Sequence, residues 1–570
     1  MTTKSLLIVA LLLLVRQTPP RSGEIEGIVS RTDSRAPIPD VRISVQNLNV
    51  PNANIQSTVT GADGRFLVKD LPEGDHIIRA ERQGYLPEWG ASAIPDSSAG
   101  TRVTVKSGER TTVGNLALIP GATVEGRILN PDNSPAVGMT VELLQQIMNT
   151  EGIRQFSSVN GGRAITNDRG QFRMAWFGPG KYFLRAIRRP PDVPGTLTTA
   201  SSVQWTPTTY FPGILNPALA SPVQVAVGQV TNVDITIPQS NPYTLAGRIV
   251  NSVPGQAQPI QLVLMRRDFG APIETLSWSL ETLNLAAGSD GKFEIRGVPS
   301  GSYELFATMR GQVTTPGPVS PNLTWVARTT FDVADQDIDN ISLVLQPGVD
   351  VKGKLTVVGD STGFHLLQAG GGGGRIAGTQ VNVSLQANDG SPAGSLRPPK
   401  IDGETFLFDN VPQGSYSLSV SAAGERRTAY VADIRSGGRS IFDESVVVGN
   451  SPIDALEIVV NTDGASVPIT VAGTSDNRPT VVLVPGPQYR KNPHRYRYST
   501  VNDASGKVTV NYVAPGEYTV YAWDYPTTLP LAYTDPAVLA KHGTQGVRIN
   551  VTAQPLANVD VQVVRINPFE

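Results

Sequence analysis

The residues able to do acid–base, metal or nucleophilic chemistry are few, and their spacing does not suit it. There are four histidines, His76, His365, His494 and His542. A zinc peptidase needs a His-x-x-Glu pair and a distant third ligand. Three residues after the four histidines stand Arg79, Gln368, Arg497 and Gln545, so no carboxylate falls at ligand spacing. The absence of cysteine removes disulfides, thiolate metal sites, a cysteine nucleophile and a cysteine acyl anchor. No Gly-x-Ser-x-Gly elbow or Walker loop occurs. The five-glycine run at 370–374 has no strand-to-helix unit around it and reads as a loop insertion. Asp63, Asp168, Asp290 and Asp402 stand in loops with only one or two carboxylates. An Asp at a glycine turn is better explained by the turn than by calcium. The expectation is no catalytic residue, no metal and no cofactor.

Aromatic residues are the candidates for binding instead. Trp89 follows Tyr85-Leu86-Pro87-Glu88, and Trp205, Tyr210 and Phe211 lie in a long insertion. Trp523 and Tyr525 lie near the C-terminal end. Two of these regions share a short motif, Asn216-Pro217-Ala218-Leu219-Ala220 and Asp535-Pro536-Ala537-Val538-Leu539-Ala540. Exposed rings stack on sugars or anchor a protein partner. The competing reading is that they cap their own domain's core.

What positions such residues follows from composition and repetition. A chain of 570 residues is too long for one core. It has 39% hydrophobic and only 17% charged residues, with 56 Gly and 45 Pro, which points to turn-rich β structure rather than disorder. A net charge of -2 without long runs of one sign gives no footprint for nucleic acid. Lys4 followed by an apolar run at 6–15 reads as an export signal over residues 1–21, too short to span a bilayer. No later stretch approaches the length of a membrane helix.

A block recurs five times. Asp63-Gly64-Arg65-Phe66 leads to Leu71-Pro72-Glu73-Gly74 and His76, and Asp290-Gly291-Lys292-Phe293 to Val298-Pro299-Ser300-Gly301 and Tyr303. The other copies are pinned at Phe172, Gly180 and Tyr182, at Phe406, Gly414 and Tyr416, and at Val508, Gly516 and Tyr518. The glycine always follows the Phe or Val by eight residues, and the ring residue follows the glycine by two. His76 therefore occupies a tyrosine position. The turn glycine supplies positive φ. The Phe opens an alternating strand, Pro-x-Gly (Pro179-Gly180 and Pro515-Gly516 in the second and fifth copies) reverses the chain, and a second alternating strand follows. The first four copies open with Gly-x-aliphatic: Gly27-Ile28-Val29, Gly126-Arg127-Ile128, Gly247-Arg248-Ile249 and Gly353-Lys354-Leu355. Each copy closes on an aliphatic strand, such as Leu116 to Leu118 or Val559 to Val563. Short strands at this spacing predict an all-β tandem array of about five β-sandwiches. The expected limits are 22–120, 121–239 (with the aromatic insertion), 240–347, 348–461 (with the glycine-rich loop) and a divergent 462–570.

This pattern resembles the carboxypeptidase regulatory-like domain, a transthyretin-like (prealbumin-type), Ig-like sandwich of seven strands. The first copy is closest, including Arg79-Ala80-Glu81-Arg82-Gln83-Gly84-Tyr85. The fifth departs most, with Val508 for Phe and no Gly-x-aliphatic opening. The resemblance implies the fold and an exported bacterial protein, without the catalytic domain this module accompanies in metallocarboxypeptidases. It also implies kinship with carbohydrate-binding-like sandwiches and surface adhesins. Fold does not fix function. The expected function is a non-catalytic binding or structural protein of the cell surface or periplasm, with polysaccharide or a cell-surface protein as partner. Sugar binding through loop aromatics is the alternative, and an enzyme of unrecognised type is the outlier.

Overall fold

The turn glycines do what the repeat requires. Gly64, Gly170, Gly291, Gly403 and Gly506 all have positive φ, and each is followed by a strand bearing the Phe or Val of the block. In the first turn Asp63 Oδ1 accepts from the Arg65 amide at 3.1 Å. In the second the same role falls to Asn167, whose Oδ1 accepts from the amides of Arg169 and Gln171, rather than to Asp168. Asp290 and the 370–374 run lie outside the described residues. The computed structural model describes residues 22–48, 54–87, 100–148, 154–188, 202–204, 208–239, 241–250, 260–267, 291–310, 324–367, 379–388, 396, 398–424, 429–472, 479–490, 492–501, 505–524, 534, 536–552 and 556–565. The segment read as an export signal is outside them, as are Trp89, Trp205 and Tyr525.

All five copies share one strand arrangement. An opening strand lies between the Phe-bearing strand, antiparallel to it, and the closing strand, parallel to it. In the first copy Gly23–Arg31 pairs with Arg65–Leu71 and Arg110–Pro120. The second places Ala122–Leu129 between Gln171–Phe177 and the closing pieces Val230–Asn232 and Ile235–Thr236. The third, fourth and fifth repeat this around Tyr243–Val250, Val349–Val358 and Ala465–Ala472. The second sheet is built on the strand after the turn, Pro-x-Gly in the first, third and fourth copies and Pro-Gly in the second and fifth: Gly74–Glu81, Gly180–Ile187, Gly301–Arg310, Gly414–Gly424 and Gly516–Asp524. Each copy has its own hydrophobic core between the sheets. The fifth differs in one respect. Its closing strand Val559–Arg565 also pairs with Gly516–Asp524, so seven strands run on into one sheet. The first compact unit ends at Gly121 and the second begins at Ala122.

The opening glycine has a steric cause. Gly27, Gly126, Gly247 and Gly353 are the cross-strand partners of Phe66, Phe172, Phe293 and Phe406. A Cβ on Gly353 would stand 2.2 Å from the Phe406 ring, and one on Gly247 2.7 Å from that of Phe293. In the fifth copy the same register pairs Ile469 with Val508. The volume has moved from one strand to the other, so the missing glycine and the missing Phe are one exchange.

The ring residue two past the glycine locks the turn. The hydroxyls of Tyr182, Tyr303 and Tyr416 donate to the carbonyls of Gly178, Pro299 and Pro412 at 2.9, 2.9 and 2.7 Å. Burial pushes the Tyr182 phenol up to about 12, which keeps it a donor. His76, buried in this position, places Nδ1 3.0 Å from Gly74 O and Nε2 3.4 Å from Asn47 Nδ2. Its ring is held by a turn and a neighbouring strand, as a structural residue's would be.

The exchange of volume is testable. Gly353→Ile should destabilise the fourth domain by about 1–3 kcal/mol through overpacking. Adding Phe406→Val should recover part of that loss. Calorimetry, with hydrogen exchange on Val349–Val358, reads both; equal stability of G353I and wild type would remove the steric account.

Candidate functional site

Of the aromatic residues expected to recognise a ligand, Tyr210 and Trp523 stand on the outward face of the second sheet. In the second copy Tyr210 belongs to a short strand, Thr209–Tyr210, added beside Gly180–Ile187. Its ring is buried with Leu144 and Phe156 against Phe183, Ile214 and Ala220. Phe156 lies 4.7 Å from Phe183 and 6.1 Å from Tyr210 between centroids. Close by, Arg185 donates to Glu142 through Nε at 2.8 Å and Nη2 at 2.6 Å, with both residues buried. Phe211 is half-buried against the main core.

The fifth copy repeats the device. Tyr521 and Trp523 lie on the outward face of Gly516–Asp524, buried with Val482, Val484, Tyr496, Leu539 and Val564. The two rings stack at 5.0 Å, and His542 meets Trp523 edge-on at 5.6 Å while its Nδ1 lies 2.8 Å from Gln545 Oε1. The shared sequence motif adds to the cover in both copies, through Ala220 in the second and Val538 and Leu539 in the fifth. Asn216 caps a 3-10 turn at Pro217–Leu219, its Oδ1 accepting from the Ala218 amide at 2.9 Å. Pro536–Lys541 is a six-residue α-helix with Leu539 buried. A proline in the first turn suits both starts. As they stand, Tyr210 and Trp523 are covered by their own chain, and a ligand would have to lift that cover to reach them.

Other aromatic residues are exposed. Trp176 is 52% and Tyr498 69% accessible, and neither was singled out by the repeat. Trp176 has φ +69, a left-handed conformation that is costly for a bulky residue. Its position explains this. Asp70, Trp176, Gly297, Asn410 and Tyr512 all stand four residues before the block's glycine. All have positive φ, at a β-bulge in each Phe or Val strand. The bulge faces the residue just before the opening strand. Ser22 donates to Asp70 at 3.1 Å, and the Gly348 amide to Asn410 Oδ1 at 2.7 Å. A Cβ on Gly464 would stand 2.6 Å from Tyr512 Cα. Gly297 and Asn410 show the requirement in residue types that tolerate it; Trp176 and Tyr512 hide it.

Two joints of the second unit are tight. Between the third and fourth copies, Gln346–Pro347 pairs back onto Trp325 and Val326, and the next residue, Gly348, is already bound to Asn410. Between the fourth and fifth copies, Asn492 Nδ2 donates to Phe442 O and Asp443 Oδ1, both at 2.9 Å. His494 Nε2 lies 3.1 Å from Leu418 O, which makes it the donor. Its ring stacks on Phe442 at 6.1 Å, and the Arg495 guanidinium lies over Phe442 at 5.1 Å. Burial, with the nearby Arg497 charge adding to it, holds the His494 pKa below its ordinary value. Among the described residues no group of three or more His, Asp or Glu could hold a metal ion, and no helix is long and apolar enough to cross a membrane.

Two stretches of sequence match known families. Residues 24–118 match the carboxypeptidase regulatory-like domain. Residues 462–528 match domain II of polysaccharide lyase family 4. No curated protein matches the chain. Among solved structures, the Bacillus anthracis TIE protein aligns at 12% identity and a TM-score of 0.16 over 57% of this chain and 51% of its own, about half its length. The Streptococcal ancillary pilin aligns at 11% identity and a TM-score of 0.19, over 57% of this chain and 100% of its own. GBS52, the minor pilin of Streptococcus agalactiae, aligns at 12% and 0.20, over 39% and 98%. The regulatory-like match falls on the first of five domains that the strand order shows to be alike.

Two outcomes follow. Tyr210→Ala and Trp523→Ala should each cost about 3–5 kcal/mol of stability, as for buried aromatics; unchanged unfolding of either variant would show the ring to be free for a ligand. The fourth–fifth joint should weaken in acid. The unfolded chain protonates His494 near pH 6.5, whereas the folded joint resists it, so this stability is present above that pH and lost as pH falls below it. The His494→Gln variant should lose that slope in thermal unfolding; an identical slope would assign it elsewhere.

Proposed function

We propose that this is a non-catalytic, exported, multidomain protein of the bacterial cell surface or periplasm, whose sandwiches, at the limits set out above, act as a semi-rigid spacer. The observation that carries it is the parallel pairing of opening and closing strands in every copy. Parallel strands start at the same end, so the chain enters each sandwich at one end and leaves it at the other. A ten-residue strand such as Val349–Val358 then advances the chain by ~33 Å. The joints between the third and fourth and between the fourth and fifth copies leave no free linker to undo that advance. The regulatory-like match supports a module that works without catalysis.

Polysaccharide binding is the second reading. It is favoured by the likeness of residues 462–528 to a domain of a polysaccharide lyase family. A glycan array with Trp89→Ala, Trp205→Ala and Trp523→Ala tests it, and no sugar binding by the wild-type chain would remove it.

The spacer reading has a direct test. The chain has no cysteine, so single cysteines at Thr405 and Lys507 take spin labels cleanly. Pulsed dipolar spectroscopy should give one narrow distance distribution, and Asn492→Ala should broaden it. A broad distribution in the parent would mean freely jointed domains and end the spacer reading.

A further inference from the structure

A cleft of about 660 Å³ opens between the third and fourth domains. We propose that it is a binding site for a hydroxyl-rich ligand carrying one carboxylate, as an acidic sugar does. The inference goes beyond both readings above and rests on the cleft alone.

The chemistry of the walls selects the ligand. From the third domain come Arg267, Arg328, Thr329 and Thr330, and from the fourth Gln413 and Ser415. Glu304, buried, is the floor. It accepts from Arg328 through Nε at 2.7 Å and Nη2 at 2.6 Å. Arg267 approaches its other oxygen only to 3.8 Å, with a side chain 54% exposed. Two guanidiniums thus face one carboxylate, and no other charged residue lines the cleft among the described residues. One positive charge is left over, on the group that reaches into solvent. A planar guanidinium pairs with a carboxylate through two parallel hydrogen bonds. A phosphate, with more charge than one guanidinium offsets, fits less well. The hydroxyls and the Gln413 amide suit a polyol, and the volume is in the range of small-ligand sites, which favour domain boundaries.

The cleft is also preformed. The Arg267 amide is fixed to Ser302 O at 2.7 Å, and Ser415 lies in the strand pair with Val447. The joint beneath it runs through Gln346–Pro347 to the Gly348–Asn410 bond without slack. A second hollow along the same joint shares Arg328, Thr329 and Gln413 with it. The backbone of the walls is already ordered, and the Arg267 side chain is the part left to order on binding.

Calorimetric titration of the full chain tests this with glucuronate, an alginate oligosaccharide, glucose and a neutral cello-oligosaccharide. The acidic ligands should bind at least about tenfold tighter than the neutral ones, and less tightly as salt is raised. Arg267→Gln, exposed enough to leave the unfolding temperature unchanged, should weaken acidic binding about tenfold, and Gln413→Ala on the opposite wall should weaken it too. Equal binding of glucuronate and the oligomer would assign a free acid, and binding that grows with length a polymer. No binding of either acid, equal binding of neutral and acidic ligands, or wild-type affinity in R267Q would overturn the site.

Discussion

Each domain depends on its opening strand being held from both sides by strands that arrive much later in the chain. The Phe strand must press a ring onto the opening strand's glycine, and the closing strand must return parallel to it. The first pairing cannot form until about half of the copy has been made, and the second until nearly all of it has. The requirement fixes where side-chain volume can go, since a Cβ on the glycine would meet the ring in the first, third and fourth copies and the backbone of Val233 in the second. It also fixes where the chain leaves, since a parallel last strand cannot end where the first began. Core packing and the end at which the chain leaves each sandwich therefore have a single origin.

That origin explains what was legible in the sequence. The turn glycine, the Phe, the Pro-x-Gly and the tyrosine are each required by local geometry, so they recur at fixed spacing and expose the sandwiches. His76 was legible for the same reason: its place in the block assigns it to the turn before its contacts are known. The fifth copy looked divergent because glycine and Phe were both lost. Ile469 opposite Val508 shows that the constraint was kept and only its partition changed. No single-strand pattern reveals an exchange between two strands that lie 39 residues apart in sequence.

The functional surfaces were less legible, because they depend on what covers what. The shared Asn/Asp-Pro-Ala motif was visible, but not that it helps cover Tyr210 and Trp523. An aromatic in a long insertion reads the same whether it points outward or lies under its own lid. Trp176 was overlooked for the opposite reason. It falls inside the repeat and takes the bulge position that Gly297 fills at no cost. Comparing the five residues four before each glycine would have found it. Asn492 and His494 carry no pattern at all, since their partners belong to another domain.

The outward face of the second sheet shows how one chemistry serves two ends. In the second domain Glu142 and Arg185 pair with each other and are buried near the covered Tyr210. A pair with both partners satisfied can be sealed from water, although its desolvation leaves little net stability. In the third domain Glu304 meets Arg328 in the same way, but Arg267 stands beside them. Sealing that group would bury an unbalanced charge, at a cost of several kcal/mol. The face must therefore stay open or receive an anion, and there the neighbouring domain makes a wall instead of a lid.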